Sequence, residues 1–379
     1  MSPRPSVMLA CERLDLAGGV ERFVCQLANQ LAQAGHPVSV ATGRTESARV
    51  AYPLPPSVQV LRAEAGGDEP AGPVPSWARR AHLARQQWRL GRGLARLAHE
   101  ASPDVIVFNG LTTACAALLF LAPRLRARAI CCDHNHFDAR SRPWRWLRRW
   151  LYPQVAAVVS LTEADRARYA ALNPRTVVIP NASALWAERP ADVAEPRVLA
   201  VGRHVAQKGF DRLLEAWAQV LPSVPEARLR IVGDGALQGA LQAQAQALGI
   251  AGRVEWLPPT PQIEAEYRAA AVFVLPSRYE GMPLALLEAQ ALGLPSVAFD
   301  CPTGPREILG EDSGVLVPAG DVPALARALV RLLRDPAARA RMGRAAIERG
   351  RAHFSPSLHA QRWAALIGEV GARMPGTTA

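Results

Sequence analysis

Lysine is almost missing from this chain: of 44 basic residues, 43 are arginine and one, Lys208, is lysine. Long apolar runs are missing too. No stretch of about 18 uncharged apolar residues occurs, which excludes a membrane-spanning helix, and the opening "MSPRPSVMLACERLD" has too short an apolar run for a signal peptide. The protein is therefore expected in the cytoplasm. The six cysteines show neither C-x-x-C spacing nor the density of a secreted scaffold, so they read as reduced thiols without a structural zinc. Neither an Asp-x-Asp pair nor a His/Cys ligand set is visible, so no metal and no cofactor is expected. A net charge of +11 and a pI near 10.2 raise nucleic acid as a partner. The absence of a zinc finger, of an RNA-recognition signature and of an aromatic-rich basic strand pattern argues against it.

What the chain does have is 49% apolar residues over 379 positions, enough for about two domains. Short apolar runs alternate with helical periodicity, the pattern of parallel strands joined by crossover helices. "SVMLA" leads through Gly18-Gly19 into a helix with Val20, Phe23, Val24, Leu27 and Leu31 on one face, closed by Gly35. "PVSVAT", "DVIVF", "ARAICC" and "AAVVSLT" read as further buried strands. Residues 183–197, "SALWAERPADVAEPR", have no period and read as an interdomain linker, after which the strand and helix rhythm restarts. Two doubly wound α/β halves follow, whose ligands bind beyond the carboxyl ends of the strands.

The single lysine stands in "VGRHVAQKGF", with Arg203 ending a strand and Lys208 just before a helix. Both side chains can converge where a helix N-terminus offers free N–H groups, a site for two adjacent phosphates. Arginine supplies a planar fork there and lysine a movable point charge, so the two are not interchangeable. In "SRYEGMPLALLEAQALG" (277–293), Pro283 suits a first helical turn, placing Glu280 before the helix and Glu288 in its second turn. Their separation, roughly 10 Å along a helix, suits gripping hydroxyls at two ends of an elongated ligand better than acid–base pairing. Gly281 and the amides of Met282 and Leu284 can meet a phosphate between them.

Together Gly18-Gly19, Arg203 with Lys208, "IVGDG" (231–235) and Glu280 with Glu288 resemble the family-4 retaining glycosyltransferases of the GT-B fold, the group that builds bacterial surface polysaccharides and glycolipids. The resemblance runs over nearly the whole chain. It implies two Rossmann-like domains facing a central cleft: an acceptor domain over 1–185, a nucleotide-sugar domain over 186–352, and a C-terminal helix over 353–379 packing back on the first domain. It also implies roles. Arg203 and Lys208 would hold the donor diphosphate, Glu288 the ribose hydroxyls and Glu280 those of the transferred sugar. The Gly18-Gly19 loop would close on the phosphates, and the backbone near Trp256 and Leu257 would read the base. A histidine of the first domain would face the donor sugar, and "AICCDHNHF" offers His134, the better fit, and His136. Leaving-group charge would be neutralised by Arg203, Lys208 and backbone dipoles without a divalent ion.

"FDCPTGPREIL" (299–309) departs from the glycine-rich segment of the wider family and resembles a branch using UDP-hexoses, with galactose, N-acetylgalactosamine or glucose as candidates. The expected acceptor is a lipid-linked saccharide, lipopolysaccharide or polysaccharide. Rival readings are a nucleotide-sugar 2-epimerase of the same fold and a catalytically silent membrane-associated binding protein.

Charge is unevenly placed: residues 1–185 hold 23 arginines against 13 acidic residues. Within them "RSRPWRWLRRWLYP" (140–153), wound as a helix, puts Trp144, Trp146, Leu147, Trp150 and Leu151 on one arc of about 160° and Arg145, Arg148 and Arg149 on the other. That is the pattern of a helix lying in a membrane interface, and it points to peripheral association with anionic lipid on the inner face of the cell membrane. The alternative is a helix whose apolar arc faces its own core.

Overall fold

The computed structural model describes residues 4–16, 18–43, 50–63, 76–191 and 195–373. It divides into two compact units, residues 1–179 with 359–379, and residues 180–358.

In the first unit β1 (Val7–Cys11), β2 (Val38–Gly43), β3 (Gln59–Ala63), β4 (Val105–Asn109), β5 (Ala129–Cys132), β6 (Ala157–Ser160) and β7 (Thr176–Val178) form one parallel sheet in the order β3-β2-β1-β4-β5-β6-β7. β1 and β4 are buried at every position, as near-continuous apolar runs in a doubly covered sheet must be. The crossovers are α1 (Gly19–Gln33), α2 (Ser76–Ala101), α3 (Leu111–Leu118), α4 (Pro123–Arg126), α5 (Arg142–Leu151) and α6 (Glu163–Ala170). Four of the five apolar positions read into α1 are buried, and Gly35 ends the turn beyond it at φ +85°.

In the second unit β8 (Arg197–Val201), β9 (Arg228–Val232), β10 (Val254–Leu257), β11 (Val272–Leu275), β12 (Ser296–Asp300) and β13 (Gly314–Pro318) form a parallel sheet ordered β10-β9-β8-β11-β12-β13. Its helices are α7 (Phe210–Val220), α8 (Gln238–Ala247), α9 (Ile263–Arg268), α10 (Leu284–Ala291), α11 (Pro305–Leu309), α12 (Val322–Arg334) and α13 (Pro336–His353). α7 buries Phe210, Leu213, Leu214, Trp217 and Val220 against the sheet. At roughly 1.5–3 kcal/mol for each large apolar side chain, that burial anchors the loop leading into the helix.

Residues 183–191, expected within the linker, and residues 180–182, expected at the end of the first domain, belong to the second unit. Ala187 N–H donates to the Ala291 carbonyl at 3.0 Å, and Trp186 Nε1 donates to Ser183 O at 3.2 Å. Residues 192–194 lie outside the described residues. α14 (Pro356–Ala372) belongs to the first unit from His359 onward, where Trp363 is fully buried and His359 Nδ1 meets Gln30 Oε1 at 2.9 Å.

Candidate functional site

Each sheet reverses its strand order once, between β1 and β4 in the first unit and between β8 and β11 in the second. Loops leaving such a reversal diverge and open a crevice at the carboxyl ends of the strands. Of the residues singled out by sequence, Gly18, Gly19 and His134 fall near the first of these places and Arg203, Lys208 and Glu280 near the second, whereas Trp256 and Leu257 lie on the edge strand β10.

In the second unit the chain leaves β8 through Gly202 and Arg203, makes a 3-10 turn over Ala206–Lys208, and enters α7 through Gly209 at φ +66°. A Cβ at Gly209 would stand 2.0 Å from the Pro276 carbonyl oxygen, so only glycine lets this turn lie against the exit of β11. Gly233, at the exit of β9, approaches equally closely: its Cβ would stand 2.0 Å from Gly202 O. Backbone packing thus gathers three loops. The Lys208 stem runs along Gly202, and its Nζ donates to Glu280 Oε1 at 2.7 Å, the oxygen that also accepts from Ser277 Oγ at 2.6 Å. Glu280 is buried and Lys208 partly so, whereas Arg203 is exposed and has no ion pair among the described residues. One cation is held by a carboxylate and the other is open.

The frame around them is cross-linked by hydrogen bonds. Arg278 forks onto Asp211 at 2.8 and 2.5 Å and donates to Ala206 O at 2.8 Å, and this guanidinium holds the Asp211 carboxyl below its usual range. Glu280 N–H donates to Pro302 O at 2.7 Å, and Thr303 N–H donates back to Glu280 O at 3.1 Å. Nearby Cys301 is pushed up to about 12 by burial and then by the charge of Glu280, leaving an inert thiol. The amides of Gly281, Met282 and Leu284 donate to no backbone carbonyl among the described residues. The Met282 carbonyl accepts from Asn181 Nδ2 at 3.0 Å.

Glu288 is buried one helical turn further on, its Oε2 accepting from Tyr267 Oη at 2.9 Å. The two glutamates therefore have different partners. The Leu257 carbonyl is taken by Gly233 N–H at 2.9 Å, and Trp256 stands edge-on to the buried His204 ring. Neither His204 nitrogen has a hydrogen-bond partner among the described residues, and burial lowers its pKa.

In the first unit Gly18 caps α1, where a Cβ would stand 2.2 Å from Glu21 Oε2, and Gly19 opens the helix. His134 follows β5 and meets Asn109, the last residue of β4. Asn109 Nδ2 donates to Ala10 O at 3.2 Å, so its Oδ1 accepts from His134 Nε2–H at 3.0 Å. That leaves the lone pair of the neutral imidazole on Nδ1. Burial pushes His134 down to about 3, and Phe23 packs on its ring at 4.5 Å. His136 differs: its Nδ1 accepts from Asp138 N–H at 3.3 Å, which spends that lone pair locally.

A family model described as glycosyl transferases group 1 matches residues 186–349, and one described as Glycosyltransferase Family 4 matches residues 17–183. The amylovoran biosynthesis glycosyltransferase AmsD of Erwinia amylovora is 34% identical over 279 residues, 71% of this chain and 78% of that protein. This chain belongs to the group 1 glycosyltransferases. The same glycosyltransferase is 31% identical over 238 residues, 59% of its length and 66% of the other's, to the lipopolysaccharide core biosynthesis mannosyltransferase LpcC of Rhizobium leguminosarum bv. viciae. Among solved structures it matches the sucrose-phosphate synthase of Thermosynechococcus elongatus with a TM-score of 0.82 at 24% identity, over 98% of this chain and 100% of that one. The fold is GT-B.

Sequence reasoning about this glycosyltransferase passed over Ser277, Tyr267 and Asn109, each of which holds a predicted residue in place. Only Ser277, three residues before Glu280, left a local signal. It also misassigned one face of α5. Arg148, expected on an outer face, turns inward: it is 2% exposed, stands 3.5 Å from the buried Asp133 and lies over the Phe137 ring at 3.5 Å. Asp133 also accepts from Tyr152 Oη at 2.6 Å and Tyr169 Oη at 2.9 Å, and a buried carboxylate so placed needs a cation. Drawing Arg148 inward rotates the helix. Trp144, Leu147 and Leu151 pack on the core, Arg145 pairs with Asp138 at 3.0 Å, and Trp146, Arg149 and Trp150 face outward.

Proposed function

We propose that this glycosyltransferase moves a hexosyl unit from a nucleotide-diphosphate sugar, with uracil as the base, to a lipid-linked saccharide, lipopolysaccharide or polysaccharide, with retention at the anomeric carbon. It would work peripherally at the inner face of the cell membrane. The observation that carries the reading is the pairing of Lys208 with Glu280 beside the open guanidinium of Arg203, at the carboxyl-end crevice of β8 and β11.

A diphosphate arriving there meets Arg203, the Lys208 ammonium and the amides of Gly281 and Met282. The Lys208 ammonium is held in place before the reaction, so with the amides and the open Arg203 it would stabilise leaving-group charge as it develops. Glu280, fixed by Ser277 and Lys208, would accept from hydroxyls of the transferred sugar, and Glu288, oriented by Tyr267, from the ribose. His134 would offer its Nδ1 lone pair to a sugar hydroxyl as a neutral imidazole. Because these groups supply the charge, no divalent ion is invoked, and activity in a chelator is the expected result.

The test combines binding with turnover. Thermal shift with UDP, GDP and ADP should single out UDP, since a ligand of the folded state raises the melting temperature. Lys208→Ala should lose about a hundredfold or more of kcat while the protein still folds, with a lowered melting temperature because the buried Glu280 loses its cation. Wild-type turnover in that variant would overturn the assignment, a shift with GDP alone would replace the base, and an inverted anomer by NMR would refute retention.

A further inference from the structure

We propose that the outer face of the helical layer α2-α3-α4-α5 in the first unit is a docking surface for a bilayer containing anionic phospholipid. This deepens the membrane part of the proposed function by naming the surface, and it is independent of the donor reading.

The charge of the chain is concentrated there. Residues 76–154 hold 14 arginines against four acidic residues, and so account for +10 of the net +11. The crossovers from β3 to β4, β4 to β5 and β5 to β6 all advance in the same direction across the sheet. Right-handed crossovers of one direction place their helices on one side. α2, α3 and α5 share one apolar cluster, through residues such as Leu94, Leu118 and Leu151. Their outward arginines therefore project from a single layer. Arg85, Arg92, Arg124, Arg140, Arg142 and Arg149 are exposed, with no carboxylate partner among the described residues.

Among these cations stand three tryptophans that the fold leaves in water: Trp88 at 51%, Trp146 at 66% and Trp150 at 54% exposure. Two of them, Trp88 and Trp150, are linked across the layer through intervening contacts. Trp88 stacks edge-on against Phe120 at 5.3 Å, and α4 follows directly. Arg126 of α4 donates to Gln154 Oε1 at 2.7 Å, and Gln154 donates to the Trp150 carbonyl at 2.9 Å. A groove of about 650 Å³ beside Phe120 is lined by Arg89, Arg92, Arg96 and His99, with room for a phosphate headgroup.

A polyanion such as nucleic acid complements the arginines but gives exposed indoles no apolar phase. The headgroup region of an anionic bilayer complements both, since indoles settle at that depth and each nearby arginine adds electrostatic attraction. None of the described helices is long and apolar enough to cross a membrane, so attachment here is reversible and weakened by salt.

The experiment is co-sedimentation of the full chain with sucrose-loaded vesicles of phosphatidylcholine alone, and of two parts phosphatidylcholine to one part phosphatidylglycerol. Binding is expected to the mixed vesicles, not to the neutral ones, and is lost at high salt. Arg142→Glu with Arg149→Glu, and separately Trp146→Ser with Trp150→Ser, should each weaken it about tenfold or more, with melting temperature and UDP shift unchanged. No binding to mixed vesicles, equal binding to neutral ones, or wild-type binding by the tryptophan pair would overturn the proposal. Duplex DNA binding insensitive to the tryptophan pair would reassign the surface to a polyanion. Vesicle binding without a UDP shift would separate this proposal from the donor assignment, which alone would then fail.

Discussion

At the strand reversal of the second unit, backbone meets backbone: Gly209 lies against Pro276 and Gly233 against Gly202, with no room for a methyl group. At the reversal of the first unit the same place is filled by side chains. Asn109 bridges Ala10 and His134, Phe23 covers the imidazole, and beside it Asp133 gathers Arg148, Tyr152 and Tyr169. One sheet plan therefore holds its loops by close approach in one unit and by a buried polar network in the other. The difference decides what each site tolerates. A backbone contact fails to an added methyl, and a network fails to a lost charge.

The largest effect should come from breaking the network. Asp133→Ala leaves Arg148 charged and buried without its carboxylate and leaves two tyrosine hydroxyls without an acceptor, which costs about 3–5 kcal/mol. Urea unfolding followed by near-ultraviolet dichroism should show the first unit melting early, and a loss under about 1 kcal/mol would mean that the network is not what holds it. Gly209→Ala attacks the other mode. Positive φ together with a methyl 2.0 Å from a carbonyl oxygen should cost roughly 3 kcal/mol and abolish UDP binding. Gly249, at φ +70° with nothing within 4 Å of its Cβ position, is the control. Its alanine variant carries strain alone, about 1 kcal/mol, and should bind UDP normally.

The most gradual effect is a slope with pH. Burial holds His134 down at about 3 and His359 at about 4, both in the first unit. Below the unfolded value near 6.5 the unfolded chain binds protons that the folded chain refuses, so stability falls as pH falls through this window. Each group adds up to about 1.4 kcal/mol per pH unit until its own folded pKa is reached. Replacing His359 by Gln should flatten the slope of the first unit between pH 6.5 and about 4 while sparing the second. An unchanged slope would show that other groups govern acid sensitivity.

The same contrast explains what could be read from the amino-acid order. The doubly wound sheets were legible because buried parallel strands are continuous apolar runs and α1 keeps a strict 3.6 spacing. The loop around Lys208 was legible because close approach demands glycine at a fixed offset from Lys208, and because Pro283 marks where α10 begins. Asn109 and Tyr267 were not, since each acts on a residue 21 or 25 positions away. The orientation of α5 misled for a related reason. Its apolar arc was correctly periodic, but the buried Asp133 outweighed it by drawing Arg148 inward, and only the tertiary structure shows that a carboxylate waits there.

The solitary lysine also makes the loop between β8 and α7 its own reporter. A lysine-specific endoproteinase has one peptide bond to cut in the entire chain, Lys208–Gly209, and that bond is wedged in a turn against Pro276. A protease needs the segment extended, so the native protein is cut only when this turn lifts away. The cutting rate thus becomes a clock for opening of the loop, one that a bound nucleotide sugar would slow.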